Sequence, residues 1–170
     1  MKRAFLTLKL LSISLIFLGQ SQREFVFKDI GLHIKISSNY LICDKFSKAP
    51  SDRVQEVLTV STPDSNNSVS IKIGKRISGT FDFEQCYSAF KDEQLLIAKQ
   101  YMTAYDTVSS FLRVDYIDVR KFSVRSTNSN LYSGVYLASV KNYFLVIQID
   151  SVDKEFEDDI ESSIVTSKFN

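Results

Sequence analysis

The run YFLVIQID, residues 143–150, carries Leu145, Val146 and Ile147 in unbroken succession. Successive side chains of a strand point to opposite faces, so such a run is apolar on both faces at once and belongs at the centre of a sheet covered on both sides. The rest of the chain therefore has to supply two covers. One follows directly. In SVDKEFEDDI and the residues after it, Phe156, Ile160, Ile164 and Phe169 recur at mostly four-residue spacing, the apolar stripe of an amphipathic helix. Asp153 can cap that helix. Glu155, Glu157, Asp158 and Asp159 crowd its first turns and Lys168 its last, an order that suits the helix dipole at about 0.3–1 kcal/mol each.

The second cover is expected from Asp82 onward. Phe83, Tyr87, Phe90, Ile97, Tyr101 and Tyr105 recur at helical intervals, and Asp82 with Gln85 three residues later suits an N-terminus. Between and around the helices the pattern has period two. EFVFKDIGLHIKIS, residues 24–37, alternates about Gly31 and reads as a hairpin. Residues 39–52, with Pro50, lose periodicity and read as a loop. Val54, Val57, Leu58 and Val60 form one strand and Val69, Ile71 and Ile73 another, joined by the turn residues Pro63, Asp64, Asn66 and Asn67. Over residues 111–125 the alternation slips at Tyr116–Ile117 and again at Lys121–Phe122, which indicates two strands or one bulged strand. Residues 126–130 are a turn, and 131–140 pairs with 143–150 across Lys141 and Asn142. The expected class is α+β: an antiparallel sheet of about six to seven strands flanked by two amphipathic helices, an α-β-α sandwich.

The first residues, MKRAFLTLKLLSISLIFLGQSQ, have the layout of a cleavable secretory signal over 1–21: Lys2 and Arg3, an apolar stretch from Leu10 to Leu18, then small residues before a cut after Ser21. The stretch is too short to cross a bilayer, which needs about 20 apolar residues, so no integral membrane segment is expected after cleavage. Residues 22–170 then form one domain in the periplasm or outside the cell. Losing Lys2, Arg3 and Lys9 takes three of 21 basic residues and leaves 18 against 20 acidic, a formal net charge of −2. With the basic residues spread among acids, nucleic acid is not an expected partner.

Cys43 and Cys86 are the only cysteines. In an exported chain they are either a disulfide, worth roughly 4 kcal/mol for a loop of about 43 residues, or two thiols on separate elements. With the lone His33 they lack the close spacing of a zinc site. His33 lies between Leu32 and Ile34 on the opposite face of its strand and reads as a solvated residue. No phosphate loop, dinucleotide turn, H-E-x-x-H or nucleophile elbow is present, so no cofactor, metal or catalytic set is expected. A hydrolase would need a cleft gathering at least two of Glu56, Glu84, Asp115 and Asp118.

The opening hairpin GLHIKISSNYL, the long central helix, and the ending YFLVIQID followed by a helix closing on ESSIVTSKFN together resemble the PsbP-like family, which includes DcrB-type bacterial proteins. Ser37 stands where that family tends to have a proline and Tyr40 where it has a tryptophan. The resemblance implies a non-catalytic binding or assembly scaffold and transfers no site. The function expected is thus an exported binding module for a protein or small apolar ligand, with Tyr87, Tyr101 and Tyr105 as candidate contacts. A periplasmic inhibitor or immunity-type protein is the alternative from another class.

Overall fold

The computed structural model describes residues 21–45, 54–75 and 82–170, with the backbone alone for 44, 45 and 54–57. The signal expected over 1–21 lies outside these residues except for Ser21, as do Pro50 and the rest of residues 46–53. The elements are β1 (Gln22–Phe27), β2 (Leu32–Ser37), β3 (Leu41–Lys45), β4 (Val54–Ser61), β5 (Ser68–Lys75), α1 (Phe83–Tyr101), β6 (Tyr105–Val114), β7 (Ile117–Ser126), β8 (Tyr132–Val140), β9 (Tyr143–Ser151), α2 (Lys154–Val165) and β10 (Lys168–Phe169). Seven strands form one antiparallel sheet in the order β3-β4-β5-β9-β8-β7-β6. β9 is its middle strand, as the Leu145–Ile147 run requires, and all three of those residues are buried.

The two faces have separate cores. Leu145, Ile147 and Ile149 face Phe156, Ile160 and Ile164 of α2, whereas Val146 joins Phe122, Val124, Val135 and Leu137 beneath α1. The sandwich is therefore present, with one addition. The opening hairpin does not extend the large sheet; β1, β2 and β10 form a three-stranded antiparallel sheet beside α2, and Phe25, Phe27, Leu32, Ile34 and Ile36 enter the α2-side core. Phe169 belongs to that core from β10, not from the helix, because α2 ends at Val165 with Thr166 as its C-cap. Lys168 accordingly lies in β10, and the last turn of α2 holds no basic residue. The β1–β2 turn needs Gly31: its φ is +69°, and a Cβ there would stand 2.0 Å from the Asn170 carbonyl oxygen.

Three further expectations are revised. Within 39–52, Leu41–Lys45 is an edge strand paired with β4; a register shift between Ile42 and Asp44 breaks its alternation and hides it in the sequence. The slip at Tyr116–Ile117 is the β6–β7 turn, with Asp115 at φ 57°, while the slip at Lys121–Phe122 interrupts nothing, since β7 pairs continuously with both neighbours. There the strand is covered on both faces, so adjacent residues are both packed. Finally, the buried stripe of α1 reaches Gln94 and Ala98, whereas Tyr101 is 64% exposed and Tyr105 starts β6.

Polar groups fix where α2 sits. Asn67, a turn residue between β4 and β5 and 4% exposed, accepts through Oδ1 from Ser151 Oγ (2.8 Å), Val152 N (2.9 Å) and Asp153 N (3.1 Å), which pins the corner between β9 and α2. Asp153 then caps the helix, accepting from Glu155 N at 2.9 Å. Tyr40, in the position expected to hold an indole, meets Phe156 edge-on at 5.0 Å and donates to Asp159 Oδ2 at 2.9 Å. Burial, with the Asp159 hydrogen bond adding, pushes its phenol well above the ordinary value. Two residues on, Glu161 Oε1 accepts from Lys121 Nζ of β7 and from the Tyr132 and Tyr136 hydroxyls of β8. Burial alone would raise the Glu161 carboxyl, but these donors outweigh it and hold it below its ordinary 4.5.

Two outcomes test these clamps. Asn67→Ala leaves Val152 N without its acceptor, while Ser151 Oγ and Asp153 N keep each other's residue as second partners, and is expected to cost about 1–3 kcal/mol in urea unfolding. Because the folded Glu161 carboxyl is depressed, the unfolded chain binds more protons in acid. The stability Glu161 contributes is complete above about pH 5 and declines as pH falls through its folded pKa, and Glu161→Gln flattens that part of the profile.

Candidate binding grooves at the ends of the central helix

Helix α1 begins where Asp82 accepts from Glu84 N at 2.8 Å and packs on β7 and β8. A groove opens at each end. At the N-terminal end Phe83, Glu84, Phe111, Arg113, Asp118 and Arg120 line a space of about 530 Å³. Arg120 organises it. Its guanidinium lies 5.5 Å from the Phe83 ring centre, 5.1 Å from Tyr87 and 5.1 Å from Phe111, and it pairs with the Glu84 carboxylate. A guanidinium held between ring faces and a carboxylate is oriented as well as charged. Phe111 is 73% exposed and stands on β6, a ten-residue edge strand.

At the C-terminal end Ile97, Tyr101, Met102, Leu131 and Val152 wall a groove of about 190 Å³, with Ser133 and Asp150 also in its lining. A third, polar depression of about 630 Å³ lies against the small sheet and includes His33, Glu24, Lys35, Ser162 and Thr166. As expected, His33 stands on the face opposite the buried Leu32 and Ile34. Its Nδ1 is 3.3 Å from Glu24 Oε1 and its Nε2 3.3 Å from the Asn170 amide, and among the described residues no hydroxyl hydrogen-bonds it. The space inside the core is different in kind: about 10 Å³ beneath α2, lined by Leu32, Val119, Tyr136, Ile147, Ile164 and Phe169, which is room for no more than about one water.

The three candidate tyrosines do not converge. Tyr101 lines the C-terminal groove. Tyr87 is half-buried, stacks on Arg120 and donates to the Lys121 carbonyl at 3.3 Å, and Tyr105 packs into the core under α1. Of the four carboxylates, Glu84 and Asp118 share the N-terminal groove, with Glu84 taken up by Arg120. Asp115 instead accepts from Phe169 N at 3.1 Å, tying the β6–β7 turn to β10, and the Glu56 side chain is outside the described residues. Both cysteines are free thiols, Cys43 exposed on edge strand β3 and Cys86 half-buried on α1. Burial, with Asp82 adding, raises the Cys86 thiol and keeps it protonated. The sequence reading missed Phe111 and Arg120. Arg120 could have been suspected only from its place among aromatic residues, since the rings it meets come from α1 and β6.

No family model matches the chain, and no curated protein matches it. Solved structures do. Cyanobacterial PsbP (CyanoP) from Synechocystis shares 10% identity and superposes with a TM-score of 0.61 over 90% of this chain and 95% of that one. LpqN of Mycobacterium tuberculosis, described as involved in cell envelope biogenesis, shares 10% identity with a TM-score of 0.53 over 88% of this chain and 91% of that one. A protein of Bacteroides thetaiotaomicron shares 12% identity with a TM-score of 0.52 over 89% of this chain and 49% of that one. The chain thus has a PsbP-like fold, and likeness at these identities concerns the fold alone.

The two aromatic positions on the α1 side predict opposite behaviour. Phe111→Ser is expected to cost no more than about 1 kcal/mol, the scale of an exposed cation–π contact. Phe122→Ala, in the core under α1, is expected to cost about 3–5 kcal/mol. Chemical denaturation of both variants measures the contrast.

Proposed function

We propose that the chain is an exported, non-catalytic binding module that docks a protein partner on the surface around Phe111 and Arg120. The observation that carries this reading is an aromatic side chain 73% exposed on an edge strand, beside an arginine already held in place by Phe83, Tyr87 and Glu84. Solvent gains nothing from such an arrangement, whereas aromatic and Arg side chains dominate the energetics of protein interfaces. Holding Arg120 in advance lowers the entropy lost on binding. The flanking charges Arg113 and Asp118 give the patch a polar rim of both signs. Export is supported by the basic start and short apolar run of residues 1–21 and by β1 beginning at Gln22, directly after the expected cut. An inhibitor or immunity role would use the same surface and differ in the partner.

The test is capture from an extract of the native cell envelope, with wild type, Phe111→Ser and Arg120→Ala as parallel baits. A partner retained by wild type is expected to be lost, at a cost of about 2 kcal/mol or more for each variant. Retention by all three places the docking surface elsewhere. Intact mass of the protein isolated from its host is expected to start at Gln22; a chain still carrying residues 1–21 refutes the cleavage.

A further inference from the structure

Strand β6 closes the large sheet and uses only one of its sides. On the inside it pairs with β7 over ten residues without a register break. Thr127 N donates to Ala104 O at 3.1 Å, so the residues in step with Ala104, from Asp106 to Val114, turn their backbone groups to β7. The alternate residues Tyr105, Thr107, Ser109, Phe111 and Arg113 direct N–H and C=O outward, where no strand among the described residues pairs with them. The other three sheet edges are blunted. β3 has five residues, a register shift, and Asp44 and Lys45 in its sequence; β1 carries Arg23 and Glu24; β10 has two residues. β6 has no proline, no lysine and no bulge. Its charges, Asp106 and Arg113, stand near its ends and leave Val108 and Phe111 exposed between them. A long edge of that kind is a template for another strand.

We infer that this strand is β6 of a second copy of the chain, antiparallel to the first across a two-fold axis at Ser110. The inference names the partner for the surface around Phe111 and rests on that reading. A two-fold axis perpendicular to the sheet keeps every side chain on its own face, so an even-numbered residue can only oppose an even-numbered one. Centred on Ser110, the pairing sets Val108 opposite Leu112 of the second copy and Ser109 opposite its Phe111, with the two Phe111 rings as diagonal neighbours. Both exposed apolar side chains are then covered. The outward backbone groups of Thr107, Ser109, Phe111 and Arg113 all find partners, and Arg113 opposes Thr107, not another cation. Neighbouring registers do less. An axis at Ser109 sets Val108 against Ser110, and one at Phe111 carries Thr107 past the end of the strand. With 18 basic and 20 acidic residues over 22–170, two copies repel each other little.

Sedimentation of the protein isolated from its host, over a dilution series, is the test. One strand a side makes a small interface, so a dimer that dissociates on dilution through the micromolar range is expected. Ser109→Pro removes an outward N–H that the single chain does not use, and proline is tolerated at such edge positions; the fold is expected to survive and the dimer to weaken at least about ten-fold. Val108→Lys, which puts a charge on the exposed edge, is expected to do the same. The register has its own readout. In Ser110→Cys the two thiols oppose each other across the axis, with Cα atoms about 4.5 Å apart and within disulfide reach, so in a Cys43→Ser background this variant is expected to crosslink on mild oxidation, whereas Ser109→Cys is not. A wild-type chain still monomeric at roughly 1 mM overturns the proposal, as does a dimer that Ser109→Pro and Val108→Lys both leave intact. If such a monomer retains an envelope partner that Phe111→Ser loses, the second copy is refuted and the docking surface stands; if it retains none, both fall.

Discussion

Everything in this fold follows from a middle strand that cannot meet water on either side. Leu145, Val146 and Ile147 are all buried, and burying one such side chain is worth about 1.5–3 kcal/mol, so both faces of β9 demand an apolar cover. The two covers are built differently. On one face α1 lies alone over β7 and β8; on the other, α2 is joined by the three strands of the small sheet. Apolar burial has no direction of its own. What fixes α2 in position is a set of directional hydrogen bonds, to the buried Asn67, the helix cap Asp153 and the half-buried Glu161, each satisfied only where its donors converge. Sliding the helix by a turn would break the hydrogen bonds from Lys121, Tyr132 and Tyr136 to Glu161 together, at about 1–3 kcal/mol for each donor left unpaired.

The unequal covers also explain where free surface remains. Beneath α2 the core is filled to a space of about 10 Å³, and the depression on the outside of that layer, against the small sheet, is polar. The face with one helix leaves apolar groove walls open instead. Its two ends leave grooves of opposite character, one built around a guanidinium among rings and the other around a carboxylate among aliphatic groups. A single helix packed on β7 and β8 of a seven-stranded sheet leaves open surface at both of its ends.

Much of this was legible from residue order because it is local. The doubly apolar run placed β9, the caps Asp82 and Asp153 placed both helix starts, and Lys141–Asn142 placed a hairpin. What escaped depends on partners distant in the chain. β1 and β2 alternate like any hairpin, and nothing in their pattern says that β10 rather than β3 will join them. Phe169 keeps the spacing of the helix stripe although it has left the helix, because a core position is defined by space and not by the element that reaches it. On α1 the stripe could be drawn through Ile97 and Tyr101 or through Gln94 and Ala98, and a polar residue in the buried lane argued for the wrong one. Tyr101 was found as a groove residue; Phe111 and Arg120 were not, since their meeting is made by β6 and β7 side by side under the start of α1.

The pairing of β2 with β10 bears on how the molecule is made. Leu32 lies opposite Phe169, and β9 must enter between β5 and β8, so both sheets are closed by the late part of the chain. During vectorial synthesis β2 and β5 each wait for a partner not yet made, and their apolar faces stay open until residues near 150 and 169 arrive. Contacts so remote in sequence make for high contact order and folding on the slow side, of order milliseconds to seconds. A structure that cannot close before residues near 169 emerge keeps its apolar faces open for as long as it is being made.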